Sequence, residues 1–213
     1  MKVEIAYVFP DLRLATYVPL ARRFVASYLE HPPGASDHEV QVLVTGGHGQ
    51  RLLEYERLFH PLPCRFRIHD NAGKDIGAYQ EFSAESDADL VVFLGAPVHF
   101  TRAGWLDRIM MAYEENGPGL YGCWGFHQPM DHIRTTAFWC PPALLNSYPF
   151  QIQNRSRYEF EHGRTSITAH TVLMGLECYM VTWGEVLPRS QWRSVTNEEC
   201  LFLDQHAERT VAA

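Results

Sequence analysis

Four stretches of this chain hold side chains whose types and spacing suit chemistry. The first is His69-Asp70-Asn71-Ala72-Gly73-Lys74-Asp75-Ile76-Gly77-Ala78-Tyr79, where a strand pattern ends in a charged turn that opens a helix. Free N–H groups and aligned peptide dipoles at a helix start attract anions. Gly73 lets the backbone approach closely, Lys74 adds positive charge, and Asp75 either caps the helix or binds a hydroxyl such as that of a ribose. An ordinary capped turn would use the same residues. The second stretch is the apolar run Leu90 to Leu94, stopped by Gly95-Ala96-Pro97 and continued by Val98-His99-Phe100. A buried strand with a Gly/Pro stop, beside a helix-opening turn, builds the rim of a pocket in α/β proteins. The third, residues 125–136, carries His127, Asp131 and His132. Two imidazoles and a carboxylate make zinc or iron sites, and a metal-dependent hydrolase is the minor alternative they raise; solvated lids share this composition. The fourth, residues 155–163, carries Glu159 and Glu161. In an extended segment both lie on one side, whereas on a helix, at about 100° per residue, they diverge by roughly 200°. Only one then faces a pocket, and Glu161 is the favoured one.

The segment Asp70-Asn71-Ala72-Gly73-Lys74-Asp75-Ile76-Gly77-Ala78-Tyr79 resembles the N-x-G-[RK]-D-I-G/A-[PA]-[FY] motif of rhamnan-synthesis-F-like proteins and related family-2-like GT-A glycosyltransferases. The order of the later elements is also similar: an apolar strand, a Trp105-Leu106-Asp107 helix, a Gly119–Gly122 segment, a Thr135-Thr136-Ala137-Phe138-Trp139 strand and an acidic cluster. The resemblance spans roughly residues 3–185, with 70–79 its distinctive part. It implies an inverting hexosyltransferase of polysaccharide biosynthesis, moving a sugar from a nucleotide-sugar donor to a hydroxyl of a glycan or small-molecule acceptor. By the same resemblance the donor lies against Tyr7, Phe9 and Pro10 at its nucleobase, the turn residues Asp70, Asn71, Gly73, Lys74 and Asp75, and the strand-end residues Gly95, Ala96 and His99. Arg134, Thr135, Thr136 and His162 would face the sugar and acceptor. Glu161, with Glu159 as the second choice, would be the general base that takes the acceptor proton.

GT-A enzymes hold a divalent cation, Mg²⁺ or Mn²⁺, on a DxD pair, because a hard cation needs oxygen ligands and its charge stabilises the leaving diphosphate. Positions 95–99 here read Gly-Ala-Pro-Val-His, with no carboxylate. Three readings are then open: a metal-independent transferase using Lys74, Arg102 or His99 for the diphosphate, metal ligands drawn from elsewhere, or a non-catalytic module that holds a nucleotide or glycan.

The elements that must position these residues are legible from periodicity. Val3–Phe9, Glu39–Thr45, Cys64–Ile68 and Leu90–Leu94 read as strands, with helices over Ala15–Leu29, Leu52–Phe59 and Ile76–Ser86 between them. Such alternation signals βαβ units, hence a Rossmann-like, mostly parallel sheet flanked by helices. A helix is then expected from Trp105 to Glu115, strands at Leu120–Trp124 and Thr135–Cys140 around a polar loop 125–132, and a short helix after Pro141. Helical character is expected in the second half of Tyr158–Met174, then a strand at Cys178–Trp183 and a last helix from Glu198 to His206. The second half is therefore mixed. His170, set among Ile167, Val172 and Leu173, reads as a helix-face histidine. Asp204 and His206 sit where a chain end could close over a site, although chain ends are usually solvated.

All 213 residues are expected to form one domain. A net charge of −7 argues against binding nucleic acid through a basic surface. The five cysteines are scattered, odd in number and without C-x-x-C spacing, so neither a disulfide framework nor a cysteine zinc site is expected. No apolar run approaches the ~18 residues of a membrane span, and the N-terminal run holds Glu4 and is too short for a signal peptide. The expected compartment is a reducing cytoplasm.

Overall fold

The computed structural model describes residues 1–47, 49–152 and 157–204. Its centre is an eight-stranded sheet built on β1 (Val3–Pro10), which is apolar at nearly every position and pairs in parallel with β2 (Glu39–Thr45) on one side and β4 (Leu90–Leu94) on the other. β3 (Arg65–His69) extends the sheet beyond β2, again in parallel. Beyond β4 the sheet turns mixed. β9 (Ala137–Cys140) runs antiparallel between β4 and β6 (Gly119–Gly122), β10 (Glu177–Val181) is parallel to β6, and β11 (Val186–Pro188) closes that edge antiparallel.

Side-chain alternation along β1 divides the core in two. Val3, Ile5, Tyr7 and Phe9 face a layer made by α1 (Leu14–Glu30), α2 (Leu52–Phe59) and α4 (Trp105–Asn116). Ala6 and Val8 face α3 (Lys74–Glu85), α5 (Pro142–Asn146), α6 (Arg157–His162) and α7 (Ile167–Leu173). A strand buried on both faces must be apolar throughout, which is why β1 and β4 carry no alternating polar pattern. The first face is aromatic: Tyr7 stacks on Phe24 with ring centroids 3.9 Å apart, and Phe100 stacks on Trp105 at 4.2 Å. Four of the five free cysteines are buried, and burial pushes the thiols of Cys178 and Cys200 up to about 12, as befits small core hydrophobes.

Two expectations fail in the second half. The loop 125–132 is a hairpin, in which β7 (Gly125–Phe126) pairs with β8 (His132–Ile133). The segment from Glu198 is not helical: Glu199 folds back on Thr196, Cys200 bridges Thr182, and β12 (Phe202–Leu203) pairs with β5 (His99–Phe100). The run Cys200-Leu201-Phe202 is wholly buried, and a two-sided core contact suits a strand rather than a surface helix. Residues 205 and 206 of that expected helix lie outside the described residues, as do Arg155 and His48. The second half of Tyr158–Met174 is helical as expected, in α7, and α6 adds a first helix ahead of it. Ser166 caps α7 by accepting from the Ala169 N–H. Among the described residues no helix is long and apolar enough to cross a membrane.

Candidate functional site: a cleft at the switch point of the sheet

Because β1, β2, β3 and β4 are parallel, their carboxyl ends share one edge. The chain leaves β1 toward β2 on one side and β4 on the other, so a crevice opens where the order reverses. A cleft of about 680 Å³ lies there. Its floor is the strand ends: Val8 and Pro10 of β1, Thr45 of β2, and Gly95-Ala96-Pro97 after β4. Thr16, Tyr17 and Leu20 of α1 form one wall, and Asn71, Lys74 and Asp75 another. The side toward the mixed half of the sheet is charged, with Arg134, Thr136, Arg157, Glu161 and Asp204.

The turn before α3 is built for close approach. Asn71 and Lys74 both take left-handed backbone conformations, with φ of +70° and +54°. For residues other than glycine that conformation costs roughly 1–2 kcal/mol, and such strain gathers at sites the fold must hold in place. Gly73 is buried, and a Cβ there would overlap Cα of Gly77, one helical turn on. Gly73→Ala is therefore expected to destabilise the protein by about 1–3 kcal/mol by overpacking against backbone. Urea unfolding checks this, and a variant within about 0.5 kcal/mol of the parent would contradict the close packing.

Across the cleft, α6 presents Arg157 and Glu161 on one face, four residues apart. Arg157 Nη1 reaches Asp75 Oδ2 at 2.6 Å, and Nη2 lies 3.3 Å from Thr136 Oγ1 and 4.0 Å from Glu161 Oε2. Burial alone would lower the Arg157 guanidinium, but the carboxylates of Asp75 and Glu161 outweigh it and hold the charge more firmly. Glu161 is nearly buried. Its Oε2 accepts the Thr135 N–H at 2.8 Å and the Thr135 hydroxyl, and its Oε1 lies 2.9 Å from His162 Nε2. Arg134 Nη2 pairs at 2.7 Å with Asp204 Oδ2, a carboxylate with no solvent exposure, and its guanidinium lies over the Trp124 ring.

Of the residues named from sequence, the cleft brings together Pro10, Asn71, Lys74, Asp75, Gly95, Ala96, Arg134, Thr136 and Glu161. Thr135 and His162 stand behind Glu161 rather than in the cleft, bonded to its carboxylate. The helical geometry of α6 turns Glu159 away from Glu161, and its carboxylate packs beside Gly163.

Several placements differ from expectation. Tyr7 and Phe9 do not reach a ligand. Both are fully buried in the aromatic layer, and the Tyr7 hydroxyl donates to the Ala96 carbonyl at 2.9 Å, with burial raising its pKa well above the usual range. His99 is buried beside Arg23, whose Nη2 lies 2.8 Å from His99 Nε2, because its place in β5 points it under α1. Asp70 is exposed and accepts the Ala72 N–H at 2.8 Å, an Asx-type turn outside the cleft. Arg102 lies over the Trp183 ring, also outside it. His127, Asp131 and His132 do not converge. His127 and Arg189 both bind the Asp131 carboxylate on the outside of the hairpin, whereas His132 points inward and is buried. His127 and Asp131 lie in the turn of the hairpin, outside β7 and β8, whereas His132 is held in β8.

Arg157 escaped assignment, and the signal for it was its spacing of four from Glu161. Asp204, named as a residue that could close over a site, does line the cleft, brought there by the pairing of β12 with β5 rather than by the expected helix.

The donor set does not suit a divalent cation of the DxD kind. The strand end after β4 supplies Gly95, Ala96 and Pro97, the Ala96 carbonyl is taken by Tyr7, and the cleft carboxylates Asp75 and Asp204 already face arginines.

No family model matches the sequence, and no curated protein matches it either. Solved structures are similar in fold. The mannosyltransferase PcManGT of Pyrobaculum calidifontis, in complex with GDP-Man and Mn²⁺, superposes with a TM-score of 0.61 at 12% identity over 83% of this chain and 53% of that one. TarS 1–349 of S. aureus, in complex with UDP, gives 0.56 at 13% identity over 81% and 55%. The fold is GT-A. Mouse xyloside xylosyltransferase 1 is a third neighbour, at 0.52 and 8% identity over 83% of this chain and 82% of that one. The chain thus spans about half the length of the first two, and the likeness to all three is one of architecture.

Proposed function

We propose that this GT-A chain is an inverting glycosyltransferase that uses a nucleotide-sugar donor without a DxD-bound metal. The observation that carries the reading is the cleft itself. At the switch point of a GT-A sheet it sets Lys74, on a strained helix start, opposite Glu161, a carboxylate held by Thr135 and His162.

The diphosphate lies against Lys74, the Gly95–Pro97 strand end and the guanidinium of Arg134, which together take the place of a cation. Gly95 has no side chain to block a phosphate, and Pro10 and Asn71 border the donor's nucleoside. Glu161 accepts the proton of an acceptor hydroxyl. That oxygen attacks the anomeric carbon from the face opposite the diphosphate, and the carbon–oxygen bond to phosphate breaks with its electron pair leaving on the nucleoside diphosphate. Thr135 fixes the carboxylate so that its approach is set before substrate binds. Arg157, tied to Asp75, joins the donor wall to the catalytic wall.

A panel of nucleoside diphosphates and their sugars, tested by calorimetry with and without Mn²⁺ and assayed for released nucleoside diphosphate, tests this. Binding and slow donor turnover, unaffected by chelator, are expected. Binding without turnover over long incubation would favour a non-catalytic nucleotide- or glycan-binding module, a reading that the missing strand-end carboxylate also supports. Absence of binding to any donor would overturn both.

A further inference from the structure

We propose that His132, Glu161 and His162 form a binding site for a zinc-class transition-metal ion behind the cleft wall. One ligand atom from each of the three lies within 4.8 Å of the other two. They come from separate elements, β8 and α6, so the tertiary fold and not local spacing brings them together. The rings of His132 and His162 are 4.2 Å apart and nearly perpendicular, at 77°.

Nδ1 of His132 lies 2.8 Å from the Met130 carbonyl, an acceptor only, so the neutral ring donates from Nδ1 and leaves Nε2 to bind an ion. A ring N–H given to a backbone carbonyl is the usual support of a histidine metal ligand. The Nε2 of His162 lies 2.9 Å from Glu161 Oε1, so these two ligand atoms already face one another.

Two imidazoles and one carboxylate with an open fourth position suit Zn²⁺ and its neighbours, whereas Mg²⁺ and Mn²⁺ prefer oxygen. Closure to zinc distances of about 2.0–2.2 Å replaces the Glu161–His162 hydrogen bond with two bonds to the ion. If Glu161 is the base proposed above, an ion on its Oε1 withdraws the lone pairs a proton needs, and the loaded protein is the inhibited one. That consequence rests on the transferase reading, and the binding does not.

The test titrates chelator-treated protein with Co²⁺, read by its visible d–d bands, and with Zn²⁺, read by calorimetry and by thermal stability. One ion per chain, the strong bands of a four-coordinate site and a Tm that rises with Zn²⁺ are expected. His132→Ala and His162→Ala should each weaken binding by more than about 10-fold, while His127→Ala, on the outer face of the hairpin, leaves it intact. Circular dichroism of the metal-free variants separates lost ligation from lost folding, and His162→Ala, on the less buried ligand, carries the test if His132→Ala does not fold. Absent d–d bands, or binding that survives in His162→Ala and disappears in His127→Ala, would overturn the site. Either result is read without any sugar donor.

Discussion

Glu161→Gln is expected to lower sugar transfer by about 10²–10⁴-fold, the usual worth of a well-placed general base, while donor affinity changes little. The substitution keeps the shape of the side chain. An amide carbonyl can still accept the Thr135 N–H that Oε2 accepts now, so the neighbouring Thr136, which lines the cleft, keeps its place. What the amide lacks is a lone pair basic enough to take the acceptor proton. The expected signature is therefore a fall in kcat with the donor Kd preserved, measured by nucleoside diphosphate release and calorimetry on one preparation. A matching fall in donor affinity would instead make Glu161 a wall of the donor site. Full activity would remove it from the mechanism, and the paired Glu159, turned toward Gly163, offers no substitute in reach of the cleft.

The parallel half of the fold was legible because each of its strands is continuous, apolar and separated from the next by one helix. β2, α2 and β4 coincide with the expected spans, since a Pro, Gly or charged turn closes each. The mixed half was not, because β7, β8 and β12 are two-residue strands too short to show a period, and β12 is placed by a distant partner, β5. The same limit governs the site. Glu161 was separable from Glu159 by helical geometry, and Lys74 and Asp75 by the turn that opens α3. Tyr7 and Phe9 were misplaced because a strand buried on both faces gives no sequence mark of which residues reach its open end. His132 was grouped with His127 and Asp131 by sequence proximity, although the hairpin leaves those two in its exposed turn and buries His132 in β8. Its real companions lie about thirty residues later, across the gap between β8 and α6.

The pair of Arg134 with Asp204 offers the largest stability effect. Arg134→Met is expected to cost about 3–5 kcal/mol, because removing one partner of a buried pair takes away the charge that compensates the other. Asp204 has no solvent exposure and Arg134 is largely covered, with side-chain exposures of 0% and 19%. The contrast is Arg193, whose contacts with Glu185 and Glu199 are on the surface, where such pairs contribute about 0–1 kcal/mol. Methionine fills much the same volume and can keep contact with Trp124, so the loss reports charge rather than a cavity. The double variant Arg134→Met with Asp204→Leu should regain much of the lost stability, since an apolar pair of similar size removes the unmatched charge. Urea unfolding of both variants decides it. If Arg134→Met alone costs less than about 1 kcal/mol, Asp204 is not held by this arginine. β12 would then owe its position over the cleft to its pairing with β5 and to Phe202, packed against Phe100 and Trp105. A full cost in the single variant and recovery in the double would mean that one ion pair ties the far end of the chain to the charged wall of the cleft. The donor contact proposed for Arg134 would then depend on β12 remaining docked.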